Sequence, residues 1–176
     1  MSYLSTMSDI VLVDIHDNPI GTMEKMEAHQ KALLHRAFSV FIFNDQGEWL
    51  LQQRAADKYH SAGLWTNACC SHPRPGEPVA AAAVRRLEEE LGFQTSLQPA
   101  FSFIYKAEFG NGLTEHEYDH VFMGRYNNAV LPNPDEVAAV RWCSAEEIRQ
   151  DLQQYPSRYT AWFRLAFDRV AALQLP

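Results

Sequence analysis

The stretch "EPVAAAAVRRLEEELGF", residues 77–93, decides the fold. It predicts a helix. Pro78 suits a first helical turn, the run of alanines has high helix propensity, and Gly92 suits the left-handed residue that closes a helix. Arg85, Glu89 and Gly92 recur three to four residues apart and share roughly one face. Glu88, Glu89 and Glu90 are consecutive carboxylates, which alone would read as a solvated acidic turn. Their placement behind Glu77 and Arg85 sets them apart from a bare acidic run.

Outward from this helix, β-rich and helical segments alternate. "DIVLVDI" (9–15) predicts a strand ended by the turn "DNPIG", and "EKMEAHQKALLH" (24–35) carries a weak helical period. "AFSVFIFND" (37–45) and "EWLLQQR" (48–54) predict strands joined by a turn at "NDQG". Further strands are expected around 101–109, 116–126 and 136–144. "SAEE" (144–147) is a capping box opening a helix of about ten residues, and "SRYTAWFRLAFDRVAAL" (157–173) is a closing amphipathic helix. The pattern predicts an α/β (α+β) fold, a mixed β-sheet sandwich covered by helices, as a single domain over residues 1–176.

Composition narrows the function. The chain has 176 residues, 47% of them hydrophobic, which is enough for one well-buried core. The formal charge of −7 argues against a nucleic-acid partner held by a general basic surface. No apolar run is long enough for a membrane span. The N-terminal "MSYLSTMSDIVLVDIHDN" lacks a secretory pattern, and three cysteines that cannot all pair suit a reduced, cytoplasmic protein. A small anionic ligand would need local positive charge or a bridging metal. Oligomeric state, monomer or homodimer, is left open by the residues.

Two motifs carry chemistry. In "TEHEYDH" (114–120), read as a strand, Glu115, Glu117 and Asp119 point one way and His116, Tyr118 and His120 the other. Carboxylates stacked on one face repel each other unless a metal or a solvent-facing edge relieves them. In "TNACCSHPRPGE" (66–77), a disulfide between adjacent Cys69 and Cys70 would be a strained ring, and the spacing of a structural zinc knuckle is absent. In an extended segment Cys70 and His72 share a face while Cys69 takes the other. Cys143 reads as a small buried hydrophobe.

The helix with Glu77, Arg85, Leu87, Glu88, Glu89, Glu90, Leu91, Gly92 and Phe93 resembles the Nudix box. Two positions depart from that pattern: Ser71 stands where the box opens with glycine, and Arg86 stands where a further glutamate follows the arginine. A basic residue there weakens a hydrolase-type metal cluster and offers a contact to a diphosphate. "LHRAFSVFIFN" (34–44), "GLWTNACCSHPRPGE" (63–77), the modified box and "EHE" (115–117), in this order, resemble the type I isopentenyl-diphosphate isomerases over nearly the whole chain.

The resemblance implies a Nudix-like fold and isomerisation of a small-molecule diphosphate, isopentenyl to dimethylallyl. It implies a Mn²⁺ or Zn²⁺ held by His29, His35, His72, Glu115 and Glu117. His29 rests on the weaker match, with His60 and His16 as alternates, while His116 and His120 are expected to be structural. It implies Mg²⁺ held by Glu90 and the backbone carbonyl of Cys70. Cys70 and Glu117 become the acid–base pair, with Tyr105 assisting Glu117 and Trp162 facing a carbocation. Lys25, Arg54, Lys58 and Arg86 become phosphate contacts. Two alternatives stay open on the residues alone: a Nudix pyrophosphohydrolase, and a Nudix domain that binds without catalysis.

Overall fold

The computed structural model describes residues 9–174, and the first eight residues of the stretch read for a secretory pattern lie outside them. In chain order the elements are β1 (Asp9–Val13), β2 (Pro19–Glu24), α1 (Lys25–Gln30), β3 (His35–Phe43), β4 (Trp49–Arg54), β5 (Trp65–Thr66), β6 (Cys69–Ser71), α2 (Val79–Leu91), β7 (Leu97–Glu108), β8 (Thr114–Arg125), β9 (Val137–Cys143), α3 (Ala145–Gln154) and α4 (Ala161–Gln174). The strands form one mixed sheet.

The organiser is β3. It pairs in parallel with β8 and antiparallel with β1, β4 and β6. Every residue of "AFSVFIF" (37–43) is buried, as expected of a strand covered on both faces. Phe38, Val40 and Ile42 enter a core with Leu50, Ala82, Ala83, Leu87 and Leu91, so this face lies under α2. Phe41 and Phe43 enter the other core with Trp49, Ile148, Phe163, Phe167 and Val170, under α3 and α4. This is the expected sandwich, with the two cores separated by alternate residues of one strand.

α2 buries Ala82, Ala83, Leu87 and Leu91 at helical spacing. It ends where the sequence predicts. Gly92 takes φ 75° and its N–H reaches the Glu88 carbonyl at 2.9 Å. A Cβ there would also meet Leu131 O at 2.8 Å, so glycine is required twice over. The capping box of α3 forms as expected, Ser144 and Glu147 each bonding the other's backbone N–H.

Three segments differ from expectation. The helix expected over 24–35 is one short helix, α1, ending at Gln30. Ala32 then takes φ 55°, and His35 opens β3. The weak period joined a helix to a strand, because the β-branched and aromatic run that marks β3 starts only after His35. The turn at "DNPIG" is tighter than its composition implies: Asp14 accepts from the backbone of His16 and Asn18, so the chain reverses by Asn18 and β2 pairs with β1. The closing helix starts at Ala161. Residues 156–158 form a separate 3₁₀ turn, and Tyr159 bridges to Trp65.

Candidate active site and metal centre

Register gathers the chemistry. The parallel ladder sets His35 beside Glu117, and the β7–β8 hairpin sets Tyr105 beside Glu117. The β3–β6 ladder sets Cys70 beside Ser39. Cys70, Tyr105 and Glu117 line a cavity of about 510 Å³ together with Lys25, Arg54, His72, Arg86, Glu90 and Trp162.

At one wall lie three imidazoles. His29 comes from α1, His35 from the start of β3, and His72 from just beyond β6. Their ring centroids are 4.9 Å (His29–His35), 5.0 Å (His35–His72) and 5.7 Å (His29–His72) apart. His29 and His35 are fully buried, and each donates its Nδ1–H to a backbone carbonyl, Lys25 O at 2.6 Å and Leu33 O at 2.8 Å. That fixes the tautomer and turns the Nε2 lone pairs inward. Both Nε2 atoms are buried without a hydrogen-bond partner among the described residues. Buried polar atoms are rarely left so. His29, His35, His72 and Glu117 each offer a ligand atom within 4.8 Å of the others, and His29, His60 and Glu115 form an overlapping second group. Imidazole nitrogens with carboxylate oxygens suit a first-row divalent ion. His16, the other alternate, is exposed in the β1–β2 turn, bonded to Asp14. His116 and His120 face away, bonded to Ala32 O and to Asp17.

Glu115, Glu117 and Asp119 share the buried face of β8, as the alternation predicts. Tyr105 donates its hydroxyl toward Glu117 Oε2 at 2.6 Å, with Glu115 Oε2 at 2.9 Å. One phenolic hydrogen serves one carboxylate at a time. Glu117 Oε1 also lies 3.1 Å from His72 Nε2 and 3.5 Å from His35 Nε2. Burial alone would push Glu117 up, yet the two histidines outweigh it and hold the carboxyl well below the usual range. Burial lowers His29 and His72 to about 4, so both stand as neutral rings. Asp119 is pushed well above its ordinary value by burial and then by Glu117.

Cys70 holds the opposite end of this row. Its Sγ–H donates to Asn67 Oδ1 at 3.1 Å, and Sγ accepts the indole N–H of Trp162 at 3.0 Å. Ser39 Oγ lies 3.6 Å away and donates to Asp119 at 2.7 Å. Burial, then Asp119, pushes the thiol up. Cys69 points into the core under α2, and Cys143 is buried. All three cysteines are free.

The cations line the cavity already engaged. Arg86 bonds Glu90 at 2.6 Å and Glu89 at 2.7 Å, and Glu90 also accepts from Gln52 at 2.9 Å. Lys58 pairs with Glu136, which lies 3.5 Å from Arg86. Lys25 lies over the Tyr59 ring at 4.6 Å. Burial and then Lys58 lower its ammonium. Arg54 donates to the His60 carbonyl and lies 5.4 Å from the Trp162 ring centroid. Glu77 grips Arg85 with both oxygens, at 2.7 and 2.8 Å.

A NUDIX domain matches residues 33–163. The chain is 54% identical to isopentenyl-diphosphate Delta-isomerase 2 of Photorhabdus laumondii over 88% of each chain. It is 50% identical to the isopentenyl-diphosphate Delta-isomerase of Pectobacterium atrosepticum over 93% of this chain and 92% of that one. The chain belongs to the isopentenyl-diphosphate Delta-isomerases of the Nudix family. Its fold is shared with a protein of Deinococcus radiodurans at TM-score 0.69, with 19% identity over 84% of this chain and 90% of that one. A MutT protein of Methanosarcina mazei superposes at TM-score 0.67, with 23% identity over 81% and 96%.

For an isopentenyl-diphosphate isomerase of Nudix type, the residues missed by the sequence reading are the ones that hold the others. Asn67 is fully buried, and its Nδ2 donates to Val40 O and Cys69 O, which turns Oδ1 toward Cys70. Ser39 and Asp119 sit beneath the thiol, while Gln52 and Glu136 tether the cationic wall. Asn67 lies inside the quoted cysteine motif. Ser39 and Gln52 carry no local signal, because a polar residue in a buried strand is conspicuous only once both faces are known to be covered. No helix among the described residues is long and apolar enough to cross a membrane.

Proposed function

We infer that the protein isomerises isopentenyl diphosphate to dimethylallyl diphosphate. What supports this reading is one cavity that holds both a thiol and a carboxylate tied to tyrosine and histidine. Hydrolysis of a diphosphate needs no such pair. The hydrolase alternative is weakened further because Arg86 occupies Glu89 and Glu90 of the box.

The reaction moves a double bond by one carbon. In the substrate-bound, competent form Glu117 carries a proton and Cys70 is the thiolate; Glu117, with the Tyr105 hydroxyl at hand, delivers that proton to C4 of the alkene, leaving a tertiary carbocation at C3. Cys70 removes a proton from C2, and the double bond forms between C2 and C3. One proton enters and one leaves, so solvent exchange resets the pair. A thiol pushed up by burial yields a thiolate that is a stronger base than a free cysteine's, and the Trp162 N–H steadies it. The indole face of Trp162 stabilises the cation by about 0.5–2 kcal/mol. Lys25, Arg54, Lys58 and Arg86 bind the diphosphate and orient the alkene. Divalent metals belong to Nudix chemistry: a Mn²⁺ or Zn²⁺ held by His29, His35, His72, Glu115 and Glu117 would polarise Glu117, and Mg²⁺ held by Glu90 and the Cys70 carbonyl would neutralise phosphate charge. The three free thiols suit the reducing cytoplasm, and the whole chain acts as one domain.

The test is proton NMR of the protein with isopentenyl diphosphate in D₂O, with Mg²⁺ and Mn²⁺, beside a Cys70→Ala sample. Deuterated dimethylallyl diphosphate, lost in the variant, is expected. Unchanged carbon skeleton with released inorganic phosphate overturns the reading in favour of hydrolysis.

A further inference from the structure

The second ligand group brings in a residue that the five-ligand set does not use. His60 comes from the loop between β4 and β5, and its side chain is 1% exposed. The ring is clamped, stacked on Phe109 at 4.4 Å and 4° and set edge-on to Tyr59 at 4.4 Å. Its Nδ1 lies 3.2 Å from the Ser61 hydroxyl. Its Nε2 points into the metal wall, 2.9 Å from Glu115 Oε1, yet makes no hydrogen bond there.

A buried Nε2 against a carboxylate oxygen off the N–H axis leaves two lone-pair-bearing atoms facing one another. That contact is unfavourable unless a cation lies between them. His29 Nε2 has the same character, being buried and unpaired, and it belongs to the same group of three. His29 can give its single Nε2 lone pair to only one ion, so the two groups are two sides of one centre.

We propose that His60 is a ligand of the metal centre through Nε2, beside Glu115, so that four imidazoles rather than three face the ion. The inference rests on the metal-centre reading above. A fourth imidazole biases the centre toward Zn²⁺, Co²⁺ or Ni²⁺ over the harder Mn²⁺ and Mg²⁺.

The experiment counts metal-bound imidazoles. Full-length protein labelled with ¹⁵N-histidine is stripped of metal and titrated with Zn²⁺, and two-bond proton–nitrogen spectra follow each ring nitrogen. Four Nε2 resonances moving together are expected in the wild type and three in His60→Gln. Zn²⁺ affinity, read by chelator competition, is expected to fall at least tenfold in the variant and Mn²⁺ affinity less. Three shifting rings in the wild type, with His60 unmoved, overturn the proposal and leave the centre standing. No shifting ring overturns the metal-centre reading as well. The wild-type spectrum decides by itself if the variant fails to fold.

Discussion

Replacing Trp162 by Phe separates two roles of one side chain. Phenylalanine keeps an aromatic face and most of the packing of α4, but removes the indole N–H that reaches Cys70 Sγ at 3.0 Å. In the resting thiol that bond is a neutral one, worth about 0.5–1.5 kcal/mol net. When sulfur takes negative charge the same bond becomes charge-assisted and is worth about 1.5–3 kcal/mol. The difference, about 1–2 kcal/mol, is the part that acts on the step in which sulfur becomes a base. It converts to a loss of about 5- to 30-fold in kcat, since about 1.4 kcal/mol is a factor of ten. KM is expected to hold, because the N–H does not reach the cationic wall. The assay is turnover of isopentenyl diphosphate by NMR, with alkylation of Cys70 by iodoacetamide followed against pH. The thiol pKa is expected to rise in the variant, because its anion loses a donor. An unmoved alkylation profile with kcat within twofold of wild type would refute the reasoning. A loss far beyond 100-fold, with the profile unmoved, would place the indole's contribution in its face instead.

Other perturbations test other joints. Asn67→Asp is nearly isosteric but removes the donor to Val40 O and Cys69 O, so urea unfolding should show a loss of about 2–6 kcal/mol, at about 1–3 kcal/mol for each orphaned carbonyl. Tyr105→Phe takes away the one hydroxyl between Glu115 and Glu117, and kcat should fall about 10- to 100-fold with KM little changed. Gly92→Ala forces a left-handed alanine against Leu131 and should cost about 2–3 kcal/mol, seen as a Tm lower by about 5–10 °C in calorimetry. Stripping metal with a chelator should lower Tm, and re-adding an ion at 1,000 times its Kd should return about 4 kcal/mol. A stripped protein whose Tm does not respond to Zn²⁺ or Mn²⁺ would count against the histidine centre.

Much of the site was legible because its logic is local. The face-sharing of Glu115, Glu117 and Asp119 follows from period two on one strand. The separation of Cys69 from Cys70 follows from the same rule, and the end of α2 follows from Gly92. What was illegible is long-range. Nothing near His29 says that α1 stops at Gln30 and tips its imidazole against His35. Nothing near His60 says that a loop will fold its ring onto Phe109 and into the metal wall. Nothing near Arg86 says that it will meet Glu136, from a segment fifty residues on. Pairings of that kind are set by the tertiary fold and leave no periodic trace.

The buried acids of β8 show how one strand shapes the charge around both ends of the proposed proton transfer. Three carboxyls spaced two residues apart cannot all ionise in so dry a face, since like charges there repel strongly. The structure divides them. Glu117 lies against His35 and His72, and those contacts hold its carboxyl down in the free enzyme despite burial. Asp119 has no cation beside it, only the Ser39 hydroxyl and an unpaired Oδ1, so burial first and then the Glu117 charge push its carboxyl well above its ordinary value. Asp119 therefore sits under Cys70 and Glu117 under the histidines. Negative charge on Asp119 opposes thiolate formation at Cys70. A slip of one residue in the β3–β8 ladder would turn all three acids to the opposite face of the sheet and abolish the arrangement, which is why the register of these two strands matters more to the chemistry than any single contact.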